Sequence, residues 1–153
     1  MDISLEFLLH FHAWGHPEIY EAGAVPGGAS RLVAMDDQAS FEGPRLRGTL
    51  MPGGADWQIT RDDGVTEVFA HYLLRTDDGV LLEVTNRGIR HAAGEAPQQA
   101  GTGGTADPGA QYFRGTPVFR APAGPYDWLN RSTYVFTGVR TPAGIDMWFY
   151  RIV

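Results

Sequence analysis

The sequence predicts an all-β domain, a closed antiparallel barrel, on three observations. Twenty glycines and ten prolines cut the chain into short pieces. Within those pieces apolar residues recur at every second position rather than at helical spacing. Asp-Gly pairs in RDDGV and TDDGV stand between the pieces, where left-handed tolerance closes a tight hairpin.

The first element carries Leu5, Phe7, Leu9 and Phe11 alternating with Glu6, Leu8, His10 and His12. Further strands are expected near Arg31 to Met35, Leu46 to Met51 and Trp57 to Thr60. RDDGV then leads into Val65 to Thr76, and TDDGV into Val80 to Asn86. Residues 92–111 contain no Leu, Ile, Val, Met or aromatic side chain, so they cannot pack a core. They read either as a solvated loop or as a lid over a barrel mouth, with a short helix around Ala106 to Tyr112. Tyr112 to Arg120, Arg131 to Arg140 and, after TPAGI, Ile145 to Val153 complete the set. About eight to ten such strands must stack as a sandwich or close, and closure removes exposed edges.

The chain has 153 residues, 43% of them apolar, which suits one domain over 1–153 with a sizeable core. No run reaches the roughly 18 apolar residues of a membrane span, and Asp2 and Glu6 stand where a secretory leader would be basic. A cytoplasmic location is therefore expected. A formal net charge of -6 with no basic run argues against nucleic acid or anionic lipid as partners. There is no cysteine, and all 12 basic residues are Arg. Thiolate chemistry, iron–sulfur clusters and Schiff bases are thereby excluded, and any catalysis falls to Asp, Glu, His, Tyr, Ser, Thr or Arg. No G-x-S-x-G elbow is present, and neither Gly27-Gly28 nor Gly53-Gly54 precedes a helix, so neither makes a phosphate cradle.

Strand parity assembles the candidate site. Val68, Ala70, Tyr72, Leu74 and Thr76 share a face, with Phe69, His71, Leu73 and Arg75 on the other. Leu82, Val84 and Asn86 share another, so Tyr72 and Asn86 are expected to look into one interior. Asn130, Ser132, Tyr134 and Phe136 line up in the same way. Tyr, Asn and Trp groups among apolar walls suit a small-molecule pocket. Asp56 has two readings: a turn role, accepting backbone amides with a lowered pKa, or an inward position beside Trp57, where desolvation raises the pKa. His10 and His12 share a strand face and so could meet one ligand or metal, or stand hydrogen-bonded. A cupin-type set lacks its carboxylate and third histidine, and no metal is expected.

SFEGPRLRGTLMPGGADWQ, YLLRTDDGVLLEVTNRGIR, YFRGTPVFR and YDWLNRSTYVFTG together resemble a bacterial and fungal family catalogued as a domain of unknown function. The resemblance implies a calycin-like β-barrel, but it supplies no reaction. It also implies shared positions at Glu42, Arg45, Asp56, Trp57, Tyr72, Thr76, Asn86, Phe113, Trp128 and Asn130. Phe69 and Leu73 stand where polar outward residues are usual, which leaves a homodimer or higher homo-oligomer open.

The expected function is a cofactor-independent lyase, isomerase or cyclase acting on a small apolar or aromatic metabolite. Asp56, Tyr72 and Asn86 are the candidate catalytic residues, and Trp57, Arg75, Trp128, Asn130, Tyr134, His10 and His12 the candidate ligand-binding ones. The alternative is a non-catalytic small-molecule-binding barrel. Metal chemistry at His10 and His12 is a third reading.

Overall fold

The computed structural model describes residues 2–36, 38–92 and 110–153. Its strands are β1 (Leu5–Trp14), β2 (Ile19–Val25), β3 (Gly28–Met35), β4 (Ala39–Glu42), β5 (Arg47–Leu50), β6 (Gly54–Arg61), β7 (Thr66–Thr76), β8 (Leu81–Ala92), β9 (Gln111–Arg120), β10 (Tyr134–Thr141) and β11 (Gly144–Ile152). Every pairing is antiparallel. The ring runs β7, β5, β4, β1, β11, β10, β9 and β8, and β8 returns to pair with β7, so the barrel is closed. Gly64 and Gly79, at φ 82° and 89°, close the two Asp-Gly hairpins in the left-handed region.

Two long strands are interrupted. β5 pairs with the second half of β7, from Gly48 with Thr76 to Leu50 with Leu74. After a turn, β6 continues beside the first half, from Ala55 with His71 to Thr60 with Thr66. β3 and β4 are related in the same way, so β2, β3 and β6 extend the wall outward from the first half of β7. β2 and β4 were not visible in the sequence, because their pieces lack a clean apolar alternation: β2 is exposed on both faces and β4 has only four residues.

Several boundaries differ from expectation: β3 begins at Gly28 rather than Arg31, and β6 at Gly54 rather than Trp57. β8 runs past Asn86 to Ala92. Arg131 belongs to a 3-10 helix, Asp127–Arg131, so β10 begins at Tyr134. Gln111 and Tyr112 open β9 rather than a helix, and the rest of the expected helix and lid, 93–109, lies outside the described residues. Among the described residues no helix is long and apolar enough to cross a membrane.

One half of the interior is filled. Phe113, Phe136, Phe149, Phe119 and Tyr134 form a chain of ring contacts with centroids 4.9–6.1 Å apart. Each such buried ring contributes about 1.5–3 kcal/mol by leaving water. The 3-10 helix lies between the end of β9 and the start of β10, and it closes that end of the barrel with Leu129, which is fully buried. The Tyr134 hydroxyl donates to the Leu129 carbonyl at 3.1 Å, locking plug to wall. In β1 a bulge between Phe7 and Leu9 turns both Leu8 and Leu9 into the core and leaves Phe7 half exposed.

Candidate functional site

The other half of the barrel is not filled. Small side chains at Ala13 and Ala70 stand where the far end carries rings, and they leave a cavity of about 120 Å³. That is room for several waters or part of a small ligand. Its apolar walls include Phe11, Val33, Val68, Ile145 and Met147, and Trp14, Pro17 and Gln38 form the rim. Besides Gln38, its polar lining residues are Asp36, Asp56, Gln58, Tyr72, Asn86, Arg90 and Arg140.

Asp56 reaches this cavity because β6 places it opposite Val33 on β3 and Ala70 on β7, on the same face as Gln58. Gln58 Nε2 donates to Asp56 Oδ2 at 2.6 Å, and the Phe69 amide donates to Oδ1 at 3.1 Å. Arg31 Nε donates to Gln58 Oε1 at 2.8 Å, which fixes the Gln58 amide with its NH₂ toward the carboxylate. Of the two readings of Asp56, the inward one describes its position. Burial pushes its pKa above the ordinary carboxylate range, and the Gln58 and Phe69 hydrogen bonds and the charges of Arg90 and Arg31 offset this only in part.

Tyr72, fully enclosed on β7, is held well above the ordinary phenol range by burial and by the neighbouring Asp56 charge, against a smaller opposing effect of Asn86. It is therefore a neutral hydroxyl. Asn86 Oδ1 is a buried acceptor with no partner among the described residues. Arg90 is pushed down to about 10, first by burial and then by repulsion from Arg140 and Arg31. Arg140 is lowered by burial and by Arg31. The charged groups lining the cavity are thus the carboxylates of Asp36 and Asp56 and the guanidiniums of Arg90 and Arg140, with the charge of Arg31 also acting on Asp56 from outside the lining.

Gln58, Arg90 and Arg140 escaped the sequence reading. Parity could have found them: Gln58 is two after Asp56, Arg90 follows Asn86 and Gly88, and Arg140 follows Phe136 and Gly138.

The remaining candidates do not line the cavity. Trp57 and Arg75 take the outward face of their strands, and Trp57 is 54% exposed beside a shallow outer depression shared with Phe69 and Arg87. Trp128 lies under the Arg45 guanidinium, 3.8 Å from its ring centre, at the closed end. Asn130 clamps the backbone of Ala121, donating to its carbonyl at 2.9 Å and accepting from its amide at 2.8 Å. Tyr134 is core, bonded to the plug. His10 and His12 point outward, because Leu9, Phe11 and Ala13 take the inner face of β1, and both contact Asp146 of β11 at 2.7 Å.

The model of the family described as Protein of unknown function (DUF3237) matches residues 3–152. A UPF0311 protein of Clostridium acetobutylicum is 36% identical over 110 residues, which is 72% of this chain and 70% of that protein. Among solved structures, a conserved protein of unknown function from Rhodopseudomonas palustris superposes with a TM-score of 0.87 at 26% identity, covering 100% of this chain and 99% of the other. An enzyme from Penicillium herquei superposes with a TM-score of 0.69 at 23% identity, covering 100% of this chain and 96% of that one, a likeness of fold.

Proposed function

The chain belongs to the DUF3237 family of proteins of unknown function, and from that premise we propose that it is a cofactor-independent lyase, isomerase or cyclase. Its substrate is a small, largely apolar or aromatic metabolite that carries an anionic or enolisable oxygen. The observation that carries this reading is the convergence of Asp56, Tyr72 and Asn86 on one cavity, with Asp56 desolvated and held by Gln58. A carboxyl group whose pKa is raised by burial is a better proton acceptor than an ordinary aspartate, and so suits taking and returning a proton. That a Penicillium herquei enzyme shares the fold supports catalysis on this scaffold.

In this mechanism Asp56 removes a proton from the bound substrate. Negative charge develops on a substrate oxygen facing Arg90 and Arg140, whose guanidiniums stabilise it without reorganising. Tyr72, kept as a phenol, donates a hydrogen bond to that oxygen rather than ionising. Asp56 then returns the proton at a second position, or to a leaving or attacking group, and ends as it began. No histidine lines the cavity among the described residues, so the proton's other partner is not an imidazole. The Asn86 carboxamide oxygen accepts from a substrate hydroxyl and fixes orientation.

The second reading, a barrel that binds without chemistry, is favoured by the same unpartnered Asn86 oxygen and the paired arginines, which need only a ligand. A panel of phenols, aromatic carboxylates and cyclic ketones, followed by mass spectrometry, separates the two. Turnover that is lost in Asp56→Asn while affinity is kept supports the enzyme. Ligands bound and returned unchanged support the binding barrel.

A further inference from the structure

On the outer wall of the barrel, away from the cavity, we propose a site for a divalent first-row transition metal, of the zinc type, formed by His10 Nε2, His12 Nδ1 and a carboxylate oxygen of Asp146. The backbone builds it. His10 and His12 are two apart on β1 and share its outer face, and the β1–β11 register sets Asp146 directly opposite His12. The three ligand atoms lie within 4.8 Å of one another, and each imidazole nitrogen is 2.7 Å from the same Asp146 Oδ1. Bonds of roughly 2.0–2.2 Å to a tetrahedral zinc-type ion put ligand atoms roughly 3.3–3.5 Å apart, so the ion takes the place of the two hydrogen bonds and the 2.7 Å contacts lengthen as it enters.

The ring positions are already fixed. Trp148, opposite His10 in the register, stacks on it with centroids 5.0 Å apart and planes 7° apart, and Trp14 stacks on His12 at 5.9 Å and 23°. Such packing lowers the entropy lost when the ligands are held. The side chains keep 39%, 39% and 24% exposure, so an ion enters directly from water and retains water in its open positions. Two imidazoles and one carboxylate form a nitrogen-rich set that suits Zn²⁺, Co²⁺, Ni²⁺ or Cu²⁺, whereas Mg²⁺ and Ca²⁺ favour oxygen ligands. Nothing in the sequence pointed to Asp146, since it is distant from the histidines along the chain and joins them only through strand pairing.

The test uses full-length protein without a histidine tag, stripped with chelator and titrated with ZnCl₂ by calorimetry at pH 7.5, with MgCl₂ as the contrast. The expected result is saturable uptake of one Zn²⁺ per chain, weakened at least about 10-fold by His12→Gln and by Asp146→Asn. Asp56→Asn should bind as the wild type does. In the wild type alone, one equivalent of Cu²⁺ should quench the tryptophan emission to which Trp14 and Trp148 contribute, a readout that needs no variant. Absence of saturable zinc uptake by the folded wild type would overturn the site, leaving a hydrogen-bonded triad only. Uptake unchanged in both variants would also overturn it, placing the ion at His16, His91 or the His71–Glu83 pair.

Discussion

Asp56 and Gln58 lie two residues apart on one strand face and share a 2.6 Å hydrogen bond, with the Gln58 amide in turn oriented by Arg31. The aspartate's environment is therefore set by a neighbour that itself never needs to touch a substrate. Gln58→Leu is expected to strip Asp56 of its main hydrogen-bond stabilisation and to move the acid limb of any pH–rate profile upward. It should also cost about 1–3 kcal/mol of stability, because Arg31 and Asp56 lose a buried partner. Urea unfolding and a pH profile of turnover check the two effects separately.

A raised Asp56 pKa links stability to pH with a definite sign. In the folded protein the carboxyl binds its proton more tightly than in the unfolded chain. Its contribution is fully present below the ordinary aspartate value and is lost as pH climbs through the raised folded value. Asp56→Asn removes that loss. Relative to the wild type, the variant should gain stability as pH rises across this window and stay level above it. Thermal unfolding of both proteins at a series of pH values measures the difference, and a gain that appears on acidification instead would contradict the assignment.

Much of this was legible in the sequence, and the illegible part has a physical reason. Alternation placed Tyr72 and Asn86 on one interior, because each β7 and β8 residue faces in or out by parity. Parity says which face, but not how far along the barrel. Tyr134 was assigned the correct inner face and stands at the wrong end, against the plug. Arg90 was passed over because the expected strand stopped at Asn86, before Gly88, whereas Arg140 closed the expected strand from Arg131 but was not followed in parity from Phe136 through Gly138. Both glycines are close approaches inside strands: a Cβ on Gly88 would come within 2.5 Å of the Arg114 carbonyl oxygen and 3.1 Å of Phe136, and one on Gly138 within 2.6 Å of Phe113. The strands run on past them and deliver both arginines to the cavity.

Those arginines should govern affinity for anions. Arg90→Met is expected to weaken binding of a benzoate-type probe by about 10-fold or more, the loss of one charge-assisted hydrogen bond. A neutral benzamide analogue should be affected far less. Calorimetric titration of both probes decides between a charge effect and a general loss of shape.

The closed end should be separable from the mouth. Asn130→Ala removes both hydrogen bonds to Ala121 and is expected to cost about 1 kcal/mol of stability, with probe affinity unchanged. A loss of affinity without a loss of stability would return Asn130 to the ligand site, where the sequence had placed it.

The most direct measurement is the titration of the Asp56 side-chain carboxyl by carbon-13 NMR in the unliganded protein, its resonance identified by its disappearance in Asp56→Asn. A midpoint above the ordinary aspartate range is the expected result, the mark of a desolvated acid poised to exchange protons. A midpoint at or below that range would mean that Gln58, Phe69 and the arginines simply hold a permanent anion, and the proton-transfer account would fail.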